Sequence, residues 1–489
     1  MTEYEAIAIG SGIGGLVAAA LLSHYGKRVL VCESHSIPGG AAHSFQRQGF
    51  EFDSGPSFYC GLKAADSLNP LQQVLTRLGE SVETIAYDPL GHYYFGDRVL
   101  PVYASSEAYL AEIARITPTG AKQLERFQRR LLGLYDGLKG IPAIALSADW
   151  RVIPALLRYP GALLNLLPHV GTISGSVGRL LDCDVSDPFV RRLVELECFL
   201  LSGLSAHETI AAEVAFMFGE RDRTAIEYPV GGSGAIVAAL VRGLQRWGGE
   251  LRLNAHVDKI LVENRRVCGV RLRGGEEIAA PIVISNATIW DTYTQLLDPG
   301  DLPEADRREA LQTPAIASFM HLHLGIRADG LDPLTGHHVV VADGDRDLAE
   351  PGNTCMISIP TVWDPSLAPS GHHAIHAYTL EPYLGWKKGN LYKKRKRSRA
   401  ESLYRALERV IPDVRSRVVV EAIGTPLTHA RFLRRYRGTY GPAIAVEERS
   451  FPSTYTPIRG LYRVGDSTLP GIGVPAVAAS GILCANSLR

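Results

Sequence analysis

The sequence predicts an α/β fold in which a parallel-sheet domain is assembled from separated segments and an α+β domain is inserted between them. Three observations predict it. Near the N-terminus a glycine-rich turn joins an apolar run to a helix-forming stretch. The pattern strand, turn, strand recurs between Arg252 and Ala287. Near the C-terminus a short strand ends in Gly465-Asp466, and a glycine-rich stretch then opens a helix of small residues. The 489 residues, 46% of them hydrophobic, suit two or three domains with a core each. With 51 basic and 51 acidic side chains the net charge is zero, which argues against a globally basic nucleic-acid binder or an acidic solvating tail.

Ala6-Ile7-Ala8-Ile9 reads as a buried parallel strand. Gly10-Ser11-Gly12-Ile13-Gly14-Gly15 follows, and then the helix formers Leu16 to Leu22. Arg28 to Cys32 reads as a second buried strand closing on Glu33. Together these are the Rossmann βαβ fingerprint in full context. Gly10 permits the tight turn, Gly12 admits a pyrophosphate close to the backbone, and Gly15 lets helix pack on strand. The helix N-terminus offers free N–H groups and partial positive charge to the phosphates. Glu33 can accept hydrogen bonds from a ribose diol and would repel the extra phosphate of NADP. Two features favour FAD over NAD. Gly39-Gly40 lets a second stretch of backbone approach a longer ligand, and the helix start at Gly471-Ile472-Gly473-Val474 can face the electron-rich edge of a flavin. No second GxGxxG occurs with strand, helix and acid, so no separate nicotinamide site is expected.

Further motifs extend the pattern: GFEFDSGPS at 49–57, YPVGGSG at 228–234, GTPLTH at 424–429, RGTYGP at 437–442 and VGDSTLPGIGVPAVAASG at 464–481. With these the chain resembles, over nearly its whole length, the FAD-dependent amine-oxidase superfamily, and within it the phytoene desaturase and carotenoid isomerase (prolycopene isomerase-like) branch. The resemblance implies a Rossmann-type, glutathione-reductase-like FAD-binding domain with an inserted α+β substrate domain. It implies that Gly10, Gly12 and Gly15 hold pyrophosphate, that Glu33 holds the adenosine ribose, and that Val257 meets adenine through its backbone. Asp466 would bind the ribityl-phosphate region and Val474 would lie by the flavin, with Gly39, Gly40 and Gly465 completing the cofactor set. One departure stands out: many relatives carry Arg after the glycine doublet, and this chain has Ala41. The implied activity is that of an FAD-dependent enzyme on carotenoid or other isoprenoid polyenes, first of all a cis–trans isomerase. A desaturase or retinol-type saturase is the alternative, and an FAD-stabilised carotenoid carrier without activity is a further one. His429 and Tyr440 are the catalytic candidates, because they lie in motifs shared with the isomerases just ahead of the flavin segment.

The FAD-binding domain is expected over 1–75, 215–290 and 440–489, and the substrate domain over 76–214 and 291–439. The first part of the latter reads as helical, with amphipathic stretches at 107–116 and 122–138, and the second as alternating strands, as in 319–325. No metal site is expected. The fifteen His include the alternating His321 and His323 and the pairs His337-His338 and His372-His373, but none shows HExxH or zinc-ligand spacing. Seven Cys without CxxC spacing read as small buried hydrophobes in a reducing compartment. Ser233 lacks the nucleophile-elbow frame. Three uncharged runs, 6–25, 159–178 and 467–488, are broken by Gly or Pro, so no transmembrane helix is expected. Met1 is the expected mature start, and the expected location is cytoplasmic with peripheral membrane association. Two stretches suggest that association. One is the leucine-rich, proline-punctuated 150–170. The other, from Lys387 to Arg399, has eight basic residues and no acid, and each basic residue contributes ~1 kcal/mol near anionic lipid. The expected partners are thus a long isoprenoid substrate and a membrane surface, with no nucleic acid.

Overall fold

The computed structural model describes residues 4–446 and 451–489. The expected start at Met1, and residues 447–450 of the expected 440–489 segment, lie outside the described residues. Five strands form a wholly parallel sheet in the order Glu250–Arg252, Val29–Cys32, Ala6–Ile9, Ile282–Ser285, Leu461–Arg463. Its central strands are apolar, save Ser285, because both faces are covered. Ala6, Ala8, Val29 and Val31 meet the helices Ile13–His24 and Val474–Ser487. Ile7, Ile9, Leu30 and Cys32 meet an antiparallel sheet of Val257–Glu263, Arg266–Leu272 and Glu277–Ala279.

The helix Ile13–His24 is buried from Ile13 to Ser23, and each of Leu16, Val17, Leu21 and Leu22 contributes ~1.5–3 kcal/mol by its burial. The helix Val474–Ser487 packs on it through glycine: a Cβ on Gly481 would stand 2.7 Å from the Gly14 carbonyl oxygen. A late segment of the chain is thereby closed onto the first turn.

A second sheet has seven strands in the order Val418–Gly424, Ser318–Arg327, His372–Glu381, Thr354–Ser358, His337–Val341, Gly91–Phe95, Arg98–Val102. The last two come from the stretch read as helical. They form a hairpin through Gly96, at φ +56°, and Gly91–Phe95 then joins His337–Val341 in parallel. Period-two alternation sorts the side chains of this sheet. Met320, Leu322, Leu324, Ile357, Ile375 and Ala377 pack with Leu403, Ala406 and Leu407 of the helix Tyr392–Glu408. Phe319, His321, Met356, Tyr378 and Leu380 face a cavity.

Helices Ser106–Ile116, Pro118–Leu138, Pro188–Ser202 and Ala211–Arg223 pack over that region. Two of them start at a capping side chain followed by proline. Thr117 Oγ1 accepts from Gly120 N–H at 3.1 Å, and Asp187 Oδ1 accepts from Val190 N–H at 3.0 Å. Their core encloses the ion pair of Arg221 with Glu197 at 3.3 Å, both side chains 3% exposed. Among the described residues no helix is long and apolar enough to cross a membrane. All seven cysteines are free, and Cys183 is exposed rather than buried, because it lies off the inner face of the helix Val177–Asp184.

Candidate active site

One cavity of about 800 Å³ is lined by every candidate residue except Gly15. Glu33, His35, Val257 and Arg273 line one part. Gly10, Gly12, Gly14 and Gly40 line another. Gly465, Asp466, Val474, His429 and Tyr440 line a third. Gly15 acts by packing instead: a Cβ there would stand 2.3 Å from the Gly10 carbonyl oxygen, so only glycine lets the helix sit this close to the turn. Gly40 also approaches the turn, its added Cβ 3.1 Å from Gly12 Cα.

Glu33 is more occupied than its sequence position suggests. Oε2 accepts from Ser11 N–H at 2.8 Å and Ser11 Oγ–H at 2.6 Å, and Oε1 accepts from His35 N–H at 2.8 Å. The carboxylate therefore shapes the glycine turn as well as facing the cavity. Ser34 Oγ–H is a fourth and longer donor, on Oε1 at 3.3 Å, so a ribose hydroxyl would take its place among the carboxylate's about four lone-pair sites.

Sequence reasoning missed Asn286, which follows the strand Ile282–Ser285 and lines the cavity. Cβ atoms added to Gly12, Gly14, Gly15 and Gly465 would all lie within about 3.1 Å of its side chain. Its amide makes no side-chain hydrogen bond among the described residues. The available signal was a polar residue at the carboxyl end of a parallel strand, where ligands bind in such sheets.

Asp466 is held by Arg435, whose Nη2 donates to Oδ2. Arg435 also donates to the carbonyl oxygens of Thr439 at 2.7 Å and Tyr440 at 2.9 Å. The cations on the cavity wall are Arg434, Arg435 and Arg437, with Lys259 and Arg273. They supply positive charge that Ala41 does not. Gly465 N–H donates to Ser480 Oγ at 2.8 Å, which fixes the loop ahead of the helix starting at Val474.

The motifs 49–57 and 228–234 meet at Asp53. Its carboxylate accepts from Ser44 Oγ–H, Tyr228 O–H and Ser233 N–H, each at 2.8 Å. Ser233 is thus architectural: it starts the helix Ser233–Arg246 on a buried carboxylate.

His429 lies on the helix Pro426–Phe432 and its Nε2 hydrogen-bonds His321 Nε2. Burial, reinforced by Arg435, pushes its imidazole down to about 3, so it is neutral. Tyr440 packs edge-to-face on Phe319, with centroids 5.1 Å apart. Burial holds its phenol well above the usual range. Desolvation pushes the nearby Glu213 carboxyl up to about 7, another group the sequence did not single out. Phe199, Leu200, Met356, Leu380 and Ile472 add apolar side chains to the wall. His321, His323 and His376 come together with one ring nitrogen each within 4.8 Å of the others, although they lie far apart in sequence or show no ligand spacing.

A flavin dinucleotide fits this cradle. The glycine turn leaves room that side chains would fill, the helix at Ile13 opens on the cavity without a side-chain cap or a first-turn acid, and the unpartnered Asn286 amide faces the same space. The profile of the family "Flavin containing amine oxidoreductase" matches residues 13–489. The chain is 36% identical to prolycopene isomerase 1, chloroplastic, of an Oncidium hybrid cultivar, over 99% of this chain and 83% of that one. It is 34% identical to the prolycopene isomerase of Arabidopsis thaliana over 99% and 82%. It is 28% identical to the neurosporene-forming phytoene desaturase of Cereibacter sphaeroides over 97% and 93%. Among solved structures, an oxidoreductase of Methanosarcina mazei superposes with a TM-score of 0.62 at 22% identity, over 98% of this chain and 99% of that one. A putrescine oxidase gives 0.63 at 16% identity, over 99% and 98%. These two likenesses speak for the fold alone. The chain belongs to the flavin-containing amine oxidoreductase family and is an enzyme whose cofactor is FAD.

Proposed function

We propose that this enzyme interconverts cis and trans double bonds of a carotenoid-type polyene. The observation that carries the reading is the continuity of the cavity. The wall that begins at the glycine cradle ends in Phe199, Leu200, Phe319, Met356 and Leu380, a surface for an apolar chain and not for a charged amine. The resemblance to prolycopene isomerases at 34–36% over 99% of the chain supports the same choice. When bound, FAD supplies a reversible electron donor and acceptor. The chain's own residues do the rest. Phe319, Tyr440 and Met356 grip the polyene and exclude water. His429, neutral by burial, can give or take a hydrogen bond or a proton at the cavity surface. In this reading Gly10, Gly12, Gly40, Glu33, Val257 and Asn286 hold the cofactor, Arg435 positions Asp466, and segments 76–214 and 291–439 shape the substrate side.

The substrate's low solubility places the enzyme on a membrane surface in this reading. Segment 150–170 exposes Trp150, Ile153, Leu157, Leu164, Leu167 and Val170, each more than half exposed. The basic run from Lys387 to Arg399 is the weaker element, because Arg399 donates to Glu381 at 2.9 Å and Arg395 lies 3.9 Å from the same carboxylate.

A net redox reaction, as in the phytoene desaturases, is the second reading, favoured by 28% identity over 97% of the chain. Mass spectrometry of the product from cis-carotenoids, incubated once with the reduced holoenzyme without oxygen and once with the oxidised holoenzyme and a quinone acceptor, decides between them. An isomerase leaves the mass unchanged and consumes no reductant. A shift of two hydrogens refutes isomerisation, and absence of any conversion points to a carrier.

A further inference from the structure

The candidate His429 is the end of a row. Its Nε2 bonds His321 Nε2, and His321 Nδ1 bonds His376 Nε2 at 2.7 Å. Both pairs of rings lie within 12° of parallel, with centroids 4.5 Å and 5.0 Å apart. Such spacings with nitrogen facing nitrogen describe three imidazoles joined edge to edge. His323 stacks on His376 with centroids 4.4 Å apart and is itself pinned by the Asp53 carbonyl at 3.1 Å.

The row continues in the sheet register. His376 pairs with Ser358, and Ser358 with His337. His376 Nδ1, Ser358 Oγ and His337 Nε2 are all buried without a hydrogen-bond partner. Buried polar atoms are rarely left so, and a line of them is the usual setting of bound water.

We propose that His429, His321 and His376 form a proton wire between the cavity and a buried polar row at Ser358 and His337. Imidazole alone among neutral side chains donates from one ring nitrogen and accepts at the other. In the starting state His429 carries its proton on Nδ1, and His321 and His376 carry theirs on Nε2. A base in the cavity takes the Nδ1 proton of His429, whose N–H pair stays on nitrogen. His429 Nε2 then takes the His321 proton, His321 Nδ1 takes the His376 proton, and His376 Nδ1 takes one from a water molecule of the polar row, leaving a hydroxide there that is reprotonated when the cavity base gives its proton back along the same path. One proton has moved, no electron has, and every ring is again neutral in its other tautomer. The reverse sequence carries a proton out. Burial, which holds all three rings below the ordinary imidazole range, suits a path on which no imidazolium forms. The geometry does not suit a metal ion. Two nitrogens 2.7 Å apart and aimed at each other would close the angle at a zinc ion ~2.0–2.1 Å from both to roughly 80°, far from tetrahedral, with neither lone pair pointing at it.

The inference rests on the polyene reading only for the identity of the base, so its test has two arms. His376→Gln keeps a hydrogen bond to His321 but cannot exchange tautomers, and His376 does not line the cavity. In holoenzyme turnover, kcat should fall ~10²-fold with KM and FAD content unchanged. The curved proton inventory of the parent in mixed H₂O and D₂O should become linear. Parent-like kcat and curvature in this variant overturn the wire. If it does not fold, Ser358→Ala is read in the same way. The second arm is NMR of ¹⁵N-histidine-labelled holoprotein, which needs no turnover. Imidazole N–H signals coupled across the 429–321 and 321–376 pairs are expected, and their absence overturns the wire even if no polyene is converted. Stoichiometric Zn²⁺ binding that erases these signals in the parent, and is lost in His376→Gln, would make the cluster a metal site and overturn it as well.

Discussion

Replacing Gly12 by Ala separates two reasons for a glycine in the phosphate turn. Gly12 has φ −62°, open to any L-residue, so alanine adds no backbone strain. Its Cβ would stand 2.6 Å from Asn286 Nδ2, with Asn286 Cγ next at 3.7 Å. Carbon contacts are comfortable from ~3.5 Å, so nearly an ångström must be recovered by the Asn286 amide or by the turn. Forcing one methyl into a packed site costs ~1–3 kcal/mol, which corresponds to FAD binding weakened ~5–150-fold. Asn286→Ala removes the obstacle. The double variant Gly12→Ala/Asn286→Ala should therefore bind FAD more tightly than the two single losses imply, by ~1–3 kcal/mol. Titration of the apoprotein with FAD, followed by flavin fluorescence, measures the cycle. Additivity within ~0.3–0.5 kcal/mol would refute the argument and assign Gly12 to the approach of the ligand itself. Gly15→Ala is the contrast. Its Cβ meets the Gly10 backbone, so Asn286→Ala should not rescue it.

The remaining predictions concern stability and surface. Arg221→Met strands the Glu197 charge, 3% exposed, and should cost ~3–5 kcal/mol in urea unfolding; Arg221→Met/Glu197→Leu should regain most of it, and equal loss in both would remove the ion pair from the account. His323 and His338 are pushed down to about 4 and His337 to about 3 by burial. The unfolded chain takes up these protons first, so the melting temperature should fall as pH drops through about 6.5 and level off near 4 to 3; a flat profile would mean that these rings are charged or hydrated. Replacing Trp150, Leu157, Leu164 and Leu167 by Ser should reduce flotation with liposomes of any charge. Lys393, Lys394, Lys396 and Arg397 to Gln should weaken it only with anionic lipid, and undiminished flotation of the first variant would dismiss segment 150–170 as a membrane contact.

What the sequence discloses here is local. The fingerprint carries its strand, turn, helix and acid within 33 residues, and short-range steric rules suffice to read it. The strands at 319–325 and the helices at 106–138 are legible for the same reason. The histidine row is not, because His321 and His376 are 55 residues apart and His429 is a further 53 on; only antiparallel register and the packing of a short helix bring them together. Asn286 is invisible as a wedge until four glycines close around it. Glu33 is legible as a candidate at the end of the second strand, whereas its bonds to Ser11 and His35 depend on the turn it helps to shape. The hairpin at 91–102 is hard to read because each of its strands has only 5 residues and its partner strand is His337–Val341.

The docking of Gly481 on Gly14 has a consequence in time. The cradle needs residue 14 beside residue 465, and about 450 residues must be synthesised between them. At ~5–20 residues per second the glycine turn waits roughly 20–90 s on the ribosome before its lid exists. Through that interval Leu16, Val17 and Leu21 lack the helix that covers them. A nascent chain of this design therefore leaves that apolar face uncovered for much longer than one whose ligand site is complete within its first hundred residues. In this design FAD meets a complete cradle only once the helix Val474–Ser487 has been made, so cofactor capture and the docking of that helix are decided together.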